Sequence, residues 1–251
     1  MSLFADLTTD GLEQAQDRLG GFARRKTDVY EAEIKLAYAT KSSGGARQLA
    51  IHYKLDDGND YQETYLLTDR KGQNYFMSKE DKKVPFASFT HVDDICKMVT
   101  GKPLSKQTEI EEKVVQLYDF DQKKELPKAV EMVMSLLGGK VILGIINTLE
   151  NKSEKVQGTD KYVDIADTRE VNSTEKVFHF PSKVTVLEAE NAQEKGVAPE
   201  AKFYDAWVEK NRGKQRDKRT IKDGAAGGSQ GAPKPGANAQ APTKSLFGDK
   251  K

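Results

Sequence analysis

Period-two alternation of apolar and polar residues runs through the first third of this chain, and it demands an antiparallel sheet. Tyr30, Ala32, Ile34, Leu36 and Tyr38 alternate with Glu31, Glu33 and Lys35. Successive side chains of a strand point to opposite faces, so this spacing predicts a half-buried strand with the five apolar residues on one face. Leu49, Ile51, Tyr53 and Leu55 repeat the pattern against Ala50, His52 and Lys54. Asp56-Asp57-Gly58-Asn59 is hairpin-turn chemistry, and residues 61–67 are the return strand. Asp69-Arg70-Lys71-Gly72 predicts another turn, before a short strand at 74–77.

The period then changes. Val92, Ile95, Cys96 and Val99 share a helical face, with Thr90 as cap and Gly101 and Pro103 as the stop. Asp93-Asp94 would fall in the first turn, where carboxylates suit the positive end of the helix dipole. Val114, Gln116, Tyr118 and Phe120 read as a strand, and residues 129–137 as a second short helix closed by Gly138-Gly139. Residues 141–146 form a continuous apolar strand. The polar stretch 152–174 reads as a long excursion, followed by strands at 176–180 and 183–187. Phe203, Tyr204, Trp207 and Val208 have the spacing of a last amphipathic helix.

The expected fold is mainly β with short helices. Strands interrupted by one helix suggest an OB-fold-like Greek-key barrel with elaborated loops and a disordered C-terminal tail. The loops fall at about residues 70–88 and 147–175, where they could wrap a ligand. Four segments are expected. Residues 1–26 are an N-terminal arm with some helical character at 10–19, and residues 27–210 are the OB-like domain. Residues 211–244 are a basic and Gly/Ala/Pro-rich flexible linker, and residues 245–251 a terminal partner-binding peptide.

The formal net charge is +1, so any anion-binding surface must come from local clustering. Cys96 is the single cysteine, which leaves no intrachain disulfide and no cysteine metal cluster. No apolar run is long enough to span a bilayer, and no secretory leader is expected. His52, His91 and His179 lack metal-ligand spacing, and no nucleophile elbow, phosphate loop or dinucleotide fingerprint occurs. These features predict a protein that is not an enzyme and needs no cofactor or metal.

Two sets of residues point to a polyanion instead. Lys54, Arg70 and Lys71 interleave with Tyr61, Tyr65, Tyr75 and Phe76. Single strands of nucleic acid are held by bases stacked on aromatic rings while cations track the phosphates. Tyr53 shares its face with Leu49, Ile51 and Leu55 and belongs to the core. Tyr61 and Tyr65 fit either core or platform. Tyr75 and Phe76 are adjacent, so one of them must leave the core. The second set is the basic apron around Lys210, Arg212, Lys214, Arg216, Lys218, Arg219 and Lys222. Arg212, Lys214 and Arg216 are its candidate phosphate contacts, against the alternative of a merely solvated helix end.

The chain ends on a small apolar plug. Ser245-Leu246-Phe247-Gly248-Asp249 echoes Ser2-Leu3-Phe4-Ala5-Asp6 near the start. Leu246 and Phe247 would anchor a partner protein, with Lys250 and Lys251 meeting an acidic rim.

Met1-Ser2-Leu3-Phe4 with residues 7–12 and 17–21 resembles the start of a group of bacteriophage single-stranded-DNA-binding proteins. The resemblance continues at residues 100–104, 113–115, 118–121, 176–179, 182–186 and 203–207. It implies a non-enzymatic OB-type protein that coats single-stranded DNA in phage replication and recombination, in the cytoplasm of the infected bacterial host. The partner of the terminal peptide would be a phage or host replication, recombination or transcription protein. Many single-strand binders end in an acidic tail, whereas this chain ends in Asp249-Lys250-Lys251. Two rivals remain on the residues alone: a protein-interaction adaptor without nucleic-acid binding, and a nuclease.

Overall fold

The computed structural model describes residues 24–119, 122–159 and 161–222. Three antiparallel strands form a meander: β1 (Asp28–Lys41), β2 (Arg47–Leu55) and β3 (Asp60–Leu66). A small hairpin of β4 (Tyr75–Met77) and β5 (Lys83–Pro85) leads into α1 (Ala87–Thr100). β6 (Ile110–Asp119) and β7 (Lys124–Val133) make a second hairpin. β8 (Lys140–Lys155) and β9 (Tyr162–His179) make a long ribbon. Two helices, α2 (Val186–Lys195) and α3 (Lys202–Asn211), precede the short β10 (Arg216–Asp217). The main sheet runs β10-β8-β1-β2-β3, with β9 on β8 and β7 joining β6 to β1.

The expected single apolar face of β1 is corrected. Ile34 stands opposite Tyr53, but Leu36 stands opposite His52, so Lys35 is an extra residue in the strand. Such a bulge reverses the inward and outward positions beyond it. Ala32, Ile34 and Ala37 enter the main core with Leu49, Ile51, Tyr53 and Leu55. Leu36 and Tyr38 turn to the other face and pack with Ala50 and Met132, beside Val115, Leu117 and Val130. The β6–β7 hairpin supplies those last residues and so covers an outer face that the alternation alone would leave wet.

β8 shows why its apolar run is continuous: both of its faces are covered. Val141, Leu143 and Ile145 enter the main core, while Ile142 and Ile146 pack with Phe178 and Trp207 under α3.

Several sequence expectations change. The helix expected at 129–137 is strand β7 followed by a single 3-10 turn, Met134–Leu136. Ten-residue pairing with β6 overrides the local helical spacing. The polar excursion 152–174 is the outer ribbon of β8 and β9. A ribbon wet on both faces has no apolar alternation to read, and polar pairs such as Arg169–Glu150 and Ser153–Asp164 join its strands. The strand expected at 183–187 is the start of α2. Thr185 and Glu188 there form a reciprocal capping box.

Helix α1 begins earlier than expected, with Phe86 at its N-cap and no side-chain cap bond. Asp93 and Asp94 therefore miss the first turn. Asp93 accepts the Leu104 N–H at 2.8 Å, and Asp94 is buried. Gly101 ends the helix at φ 73°, a left-handed conformation that glycine adopts without strain. Val92, Ile95 and Cys96 face the core as expected, and burial pushes the Cys96 thiol up to about 12.

Among the described residues no ladder joins β3 to β9, so the sheet does not close into a barrel through backbone pairing. Side chains span that seam. Glu63 on β3 accepts the Thr174 N–H at 2.9 Å and the Tyr61 hydroxyl at 2.8 Å. The Tyr65 hydroxyl lies 3.1 Å from both the Tyr53 and Thr174 hydroxyls. Burial raises the Glu63 carboxyl above its ordinary range, against the lowering effect of the bonds from Thr174 and Tyr61. The folded protein thus holds this proton more tightly than the unfolded chain. The site's contribution to stability is largest below the ordinary carboxylate range and falls as pH rises through it to the folded value. Glu63→Gln cannot ionise and is expected to remove that part of the slope. Urea unfolding of both proteins from about pH 4 to 7 checks this, and identical slopes would refute it.

Candidate nucleic-acid interface

Of the residues singled out from the sequence, the structure gathers Arg70, Lys71, Tyr75 and Phe76 at one end of the meander. Asp69 organises the turn before β4, accepting the backbone N–H groups of Lys71 and Gln73 at 2.9 and 2.8 Å. The Arg70 side chain reaches back over Gly44 in the β1–β2 turn. A Cβ on Gly44 would lie 2.6 Å from Arg70 Nε, so glycine permits this approach. Arg47 at the start of β2 points to the same turn, beside Gly72.

The β4–β5 hairpin carries the aromatics. Adjacent Tyr75 and Phe76 take different environments, as the pleat requires. Tyr75 is partly buried, with Lys83 Nζ 4.7 Å from its ring centre. Phe76 is 50 % exposed and pairs with Phe86, ring centres 6.2 Å apart. Met77 beside it is equally open, at 51 %. Lys79, Lys82 and Lys83 belong to the same hairpin, with Lys83 opposite Met77 in its ladder, and Lys82 bonds Glu80 at 2.7 Å. Arg47, Arg70, Lys71, Lys79 and Lys83 have no carboxylate within 4.0 Å among the described residues. This end therefore offers an apolar ring surface inside a cationic field.

Phe86, Arg47 and the three lysines of the hairpin were not among the expected contacts. The signal was present, since residues 74–86 interleave Tyr, Phe and Lys. No periodicity marked them as a folded element.

Tyr61 and Tyr65 are corrected. Both rings are buried, Tyr65 at 1 % exposure, and both hydroxyls serve the β3–β9 seam. Tyr53 and Tyr61 stack in the core with ring centres 6.0 Å apart. Buried rings give bases no face, so these two leave the candidate set. Lys54 lies at the other end of the β2–β3 hairpin, bound to Asp60 at 3.1 Å. Arg47 to Lys54 spans seven residues of strand, or roughly 23 Å, so Lys54 is not part of this cluster.

The basic apron is also reorganised. Residues 211–222, expected to begin a free linker, are laid along the body. Gly213 N–H donates to Thr27 C=O at 2.8 Å, and Lys218 N–H to Leu149 C=O at 2.9 Å. Arg212 binds Asp28 at 2.7 Å, and Arg216 binds Glu175. Arg219 holds the Asp217 carboxylate at about 2. The arginines anchor the strap, while Lys210, Lys214, Lys218 and Lys222 are exposed, and Lys214 Nζ meets the Lys210 carbonyl. Arg212 and Arg216 are thus already neutralised by carboxylates.

Tyr162, at 66 % exposure near the tip of the long ribbon, is a further open aromatic that the polar composition of its surroundings concealed. The terminal residues Leu246, Phe247, Lys250 and Lys251 lie outside the described residues, as do linker residues 223–244 and the helical stretch expected at 10–19. Among the described residues no group of histidine, cysteine and acidic side chains could hold a metal ion. No helix among them is long and apolar enough to cross a membrane.

No protein-family model matches this chain, and no curated protein matches it in sequence.

Proposed function

We propose that this chain is a sequence-tolerant single-stranded-DNA-binding protein of the OB type, acting in phage replication and recombination inside the infected host. The observation that carries the reading is the open Phe76–Phe86 pair on a hairpin that carries Lys79, Lys82 and Lys83. Rings of this kind stack any base, because every base has a π-face, and lysines track the strand without reading sequence. The three-strand meander packed on α1, with β8 returning beside β1, supports an OB-like body left open at the β3–β9 seam. The terminal peptide with Leu246, Phe247, Lys250 and Lys251 recruits a replication, recombination or transcription protein in this reading.

A salt-titrated binding curve with oligo-dT tests it. Affinity should fall with salt at a log–log slope of about −0.7 per phosphate neutralised. Duplex of equal length should bind more weakly, since its bases cannot reach the rings. Equal affinity for duplex and single strand would overturn the stacking arrangement.

A second reading, a protein-interaction adaptor, is favoured by a different observation. A groove of about 530 Å³ lies between α1 and α2, with Met98, Val184, Val186 and Ala189 among its lining residues. An adaptor would show no salt-sensitive oligo-dT affinity.

A further inference from the structure

A strand edge that lacks a partner presents unpaired backbone groups and is a template for another chain. Most edges of this sheet are managed. Beyond Ile145 the free side of β8 is covered by β10, parallel to Thr148 and Leu149. Asn151 fastens that cover, accepting the N–H groups of Thr220 and Ile221 at 2.7 and 2.9 Å. β3 is tied to β9 by Glu63 and Tyr65. The outer ribbon has a register shift between Asn151 and Ser153 and is rich in charge.

β6 has none of these devices. Among the described residues it pairs with β7 alone, in register from Ile110 to Asp119, and it contains neither bulge nor proline. Ile110, Val114 and Tyr118 lie on its open face at 52, 70 and 52 % exposure. Its backbone parity is readable. Met134 N–H donates to Glu109 C=O at 2.8 Å, one step beyond the Ile110–Val133 pair. In an antiparallel ladder the hydrogen-bonded pairs recur every second residue. Odd-numbered residues of β6 therefore aim their backbone groups at β7. Even-numbered residues aim theirs outward.

These two patterns agree on one partner. A second copy of β6, turned about a two-fold axis through Val114, places Val114 opposite Val114, Ile110 opposite Tyr118 and Glu112 opposite Gln116. Each of these pairs is even with even, as the outward backbone groups require. On the even-numbered face this register sets apolar residues against apolar residues and brings no like charges together, while on the other face Glu111 meets Leu117 and Lys113 meets Val115. Glu111 and Lys113 are already paired within the strand at 2.6 Å. A closed, isologous contact follows from such self-complementarity.

We propose that β6 is the site where two copies of this chain join, edge to edge, in an antiparallel ladder centred on Val114. The proposal does not depend on DNA binding and is tested without nucleic acid. Sedimentation velocity of the full-length protein over a concentration series should show a reversible dimer. Val114→Pro removes an outward N–H and no internal bond, so it should give a monomer with an unchanged melting temperature. Val114→Cys should form a disulfide-linked dimer on mild oxidation, since paired Cα atoms would sit about 5.5 Å apart. Glu112→Cys should not, because its two copies would stand about 13 Å apart along the strands. Cys96 is buried and leaves the background silent. If Val114→Pro fails to fold, the two cysteine variants decide the matter. A monomeric wild type, a dimer that survives Val114→Pro, or equal cross-linking at positions 112 and 114 overturns the proposal. So does a monomer whose β6 amides are protected from exchange, since another segment then occupies the edge.

Discussion

Phe178→Ala is expected to destabilise the protein by about 3–5 kcal/mol, the usual cost of removing a fully buried phenylalanine. Phe178 has no exposed surface. Tyr204 meets it edge-on with ring centres 5.1 Å apart, and Trp207 and Phe203 approach at 6.3 and 6.4 Å. Helix α3 is thus fixed to the sheet through one ring of β9. Gly144 on β8 completes the seat, because a Cβ there would come within 3.0 Å of the Trp207 indole. Trp207 Nε1 has no hydrogen-bond partner among the described residues, so packing alone holds the indole. It is also the single tryptophan of the chain, which makes its fluorescence a direct report of α3 docking. Urea unfolding followed by that signal checks the value. A loss below about 1 kcal/mol would mean that α3 is not held this way. Leu187→Ala, at a residue 63 % exposed, is the control and should shift stability by less than about 0.5 kcal/mol.

Phe76→Ala is expected to weaken oligo-dT binding by about 1–3 kcal/mol while the thermal melt stays where it was. The ring is half exposed and touches Phe86 at the surface, so its removal opens no cavity in the core. Tyr65→Ala should behave in the opposite sense, because its ring is buried and its hydroxyl closes the β3–β9 seam. That variant should lose stability first and binding only as a result. Running melts beside titrations separates the two outcomes. A folded Phe76→Ala protein with wild-type affinity would remove the β4–β5 hairpin from the interface.

What the sequence disclosed depended on how each segment meets water. β2 and β3 were legible because each has one dry face and one wet one. The middle of β8 was legible for the opposite reason, being apolar on both faces. β7 was misread as helix, since Ala129, Val130, Met132 and Val133 satisfy either spacing and only pairing with β6 decides. The outer ribbon was invisible because polar residues cover both of its faces. At the interface, Tyr75 and Phe76 were readable from adjacency alone. Tyr61 and Tyr65 were not, since alternation shows which residues share a face but not which face is buried. Phe86 and the lysines of the hairpin belong to a short insertion without periodicity, and only folding places Phe86 beside Phe76. The arginines of the strap carried a visible charge, but their carboxylate partners, Asp28 and Glu175, are far away in sequence.

The extra residue at Lys35 gives β1 something like two reading frames. Before it, even-numbered side chains address the main core. After it, the odd-numbered Ala37 does, and the even-numbered Leu36 and Tyr38 are released to the β6–β7 hairpin. One strand thereby writes to two hydrophobic cores on opposite sides of a single sheet. Deleting Lys35 would remove the bulge and keep the faces, since Ile34 and Leu36 would become neighbours on opposite sides of a regular ladder. Pairing Lys35 into a regular ladder would instead reverse them: Leu36 and Tyr38 would turn into space now filled by Ala37, and the small Ala37 and Ala39 would be left to face Met132 and Val130. The fold's second layer therefore depends on the register of one strand as much as on the identity of its residues.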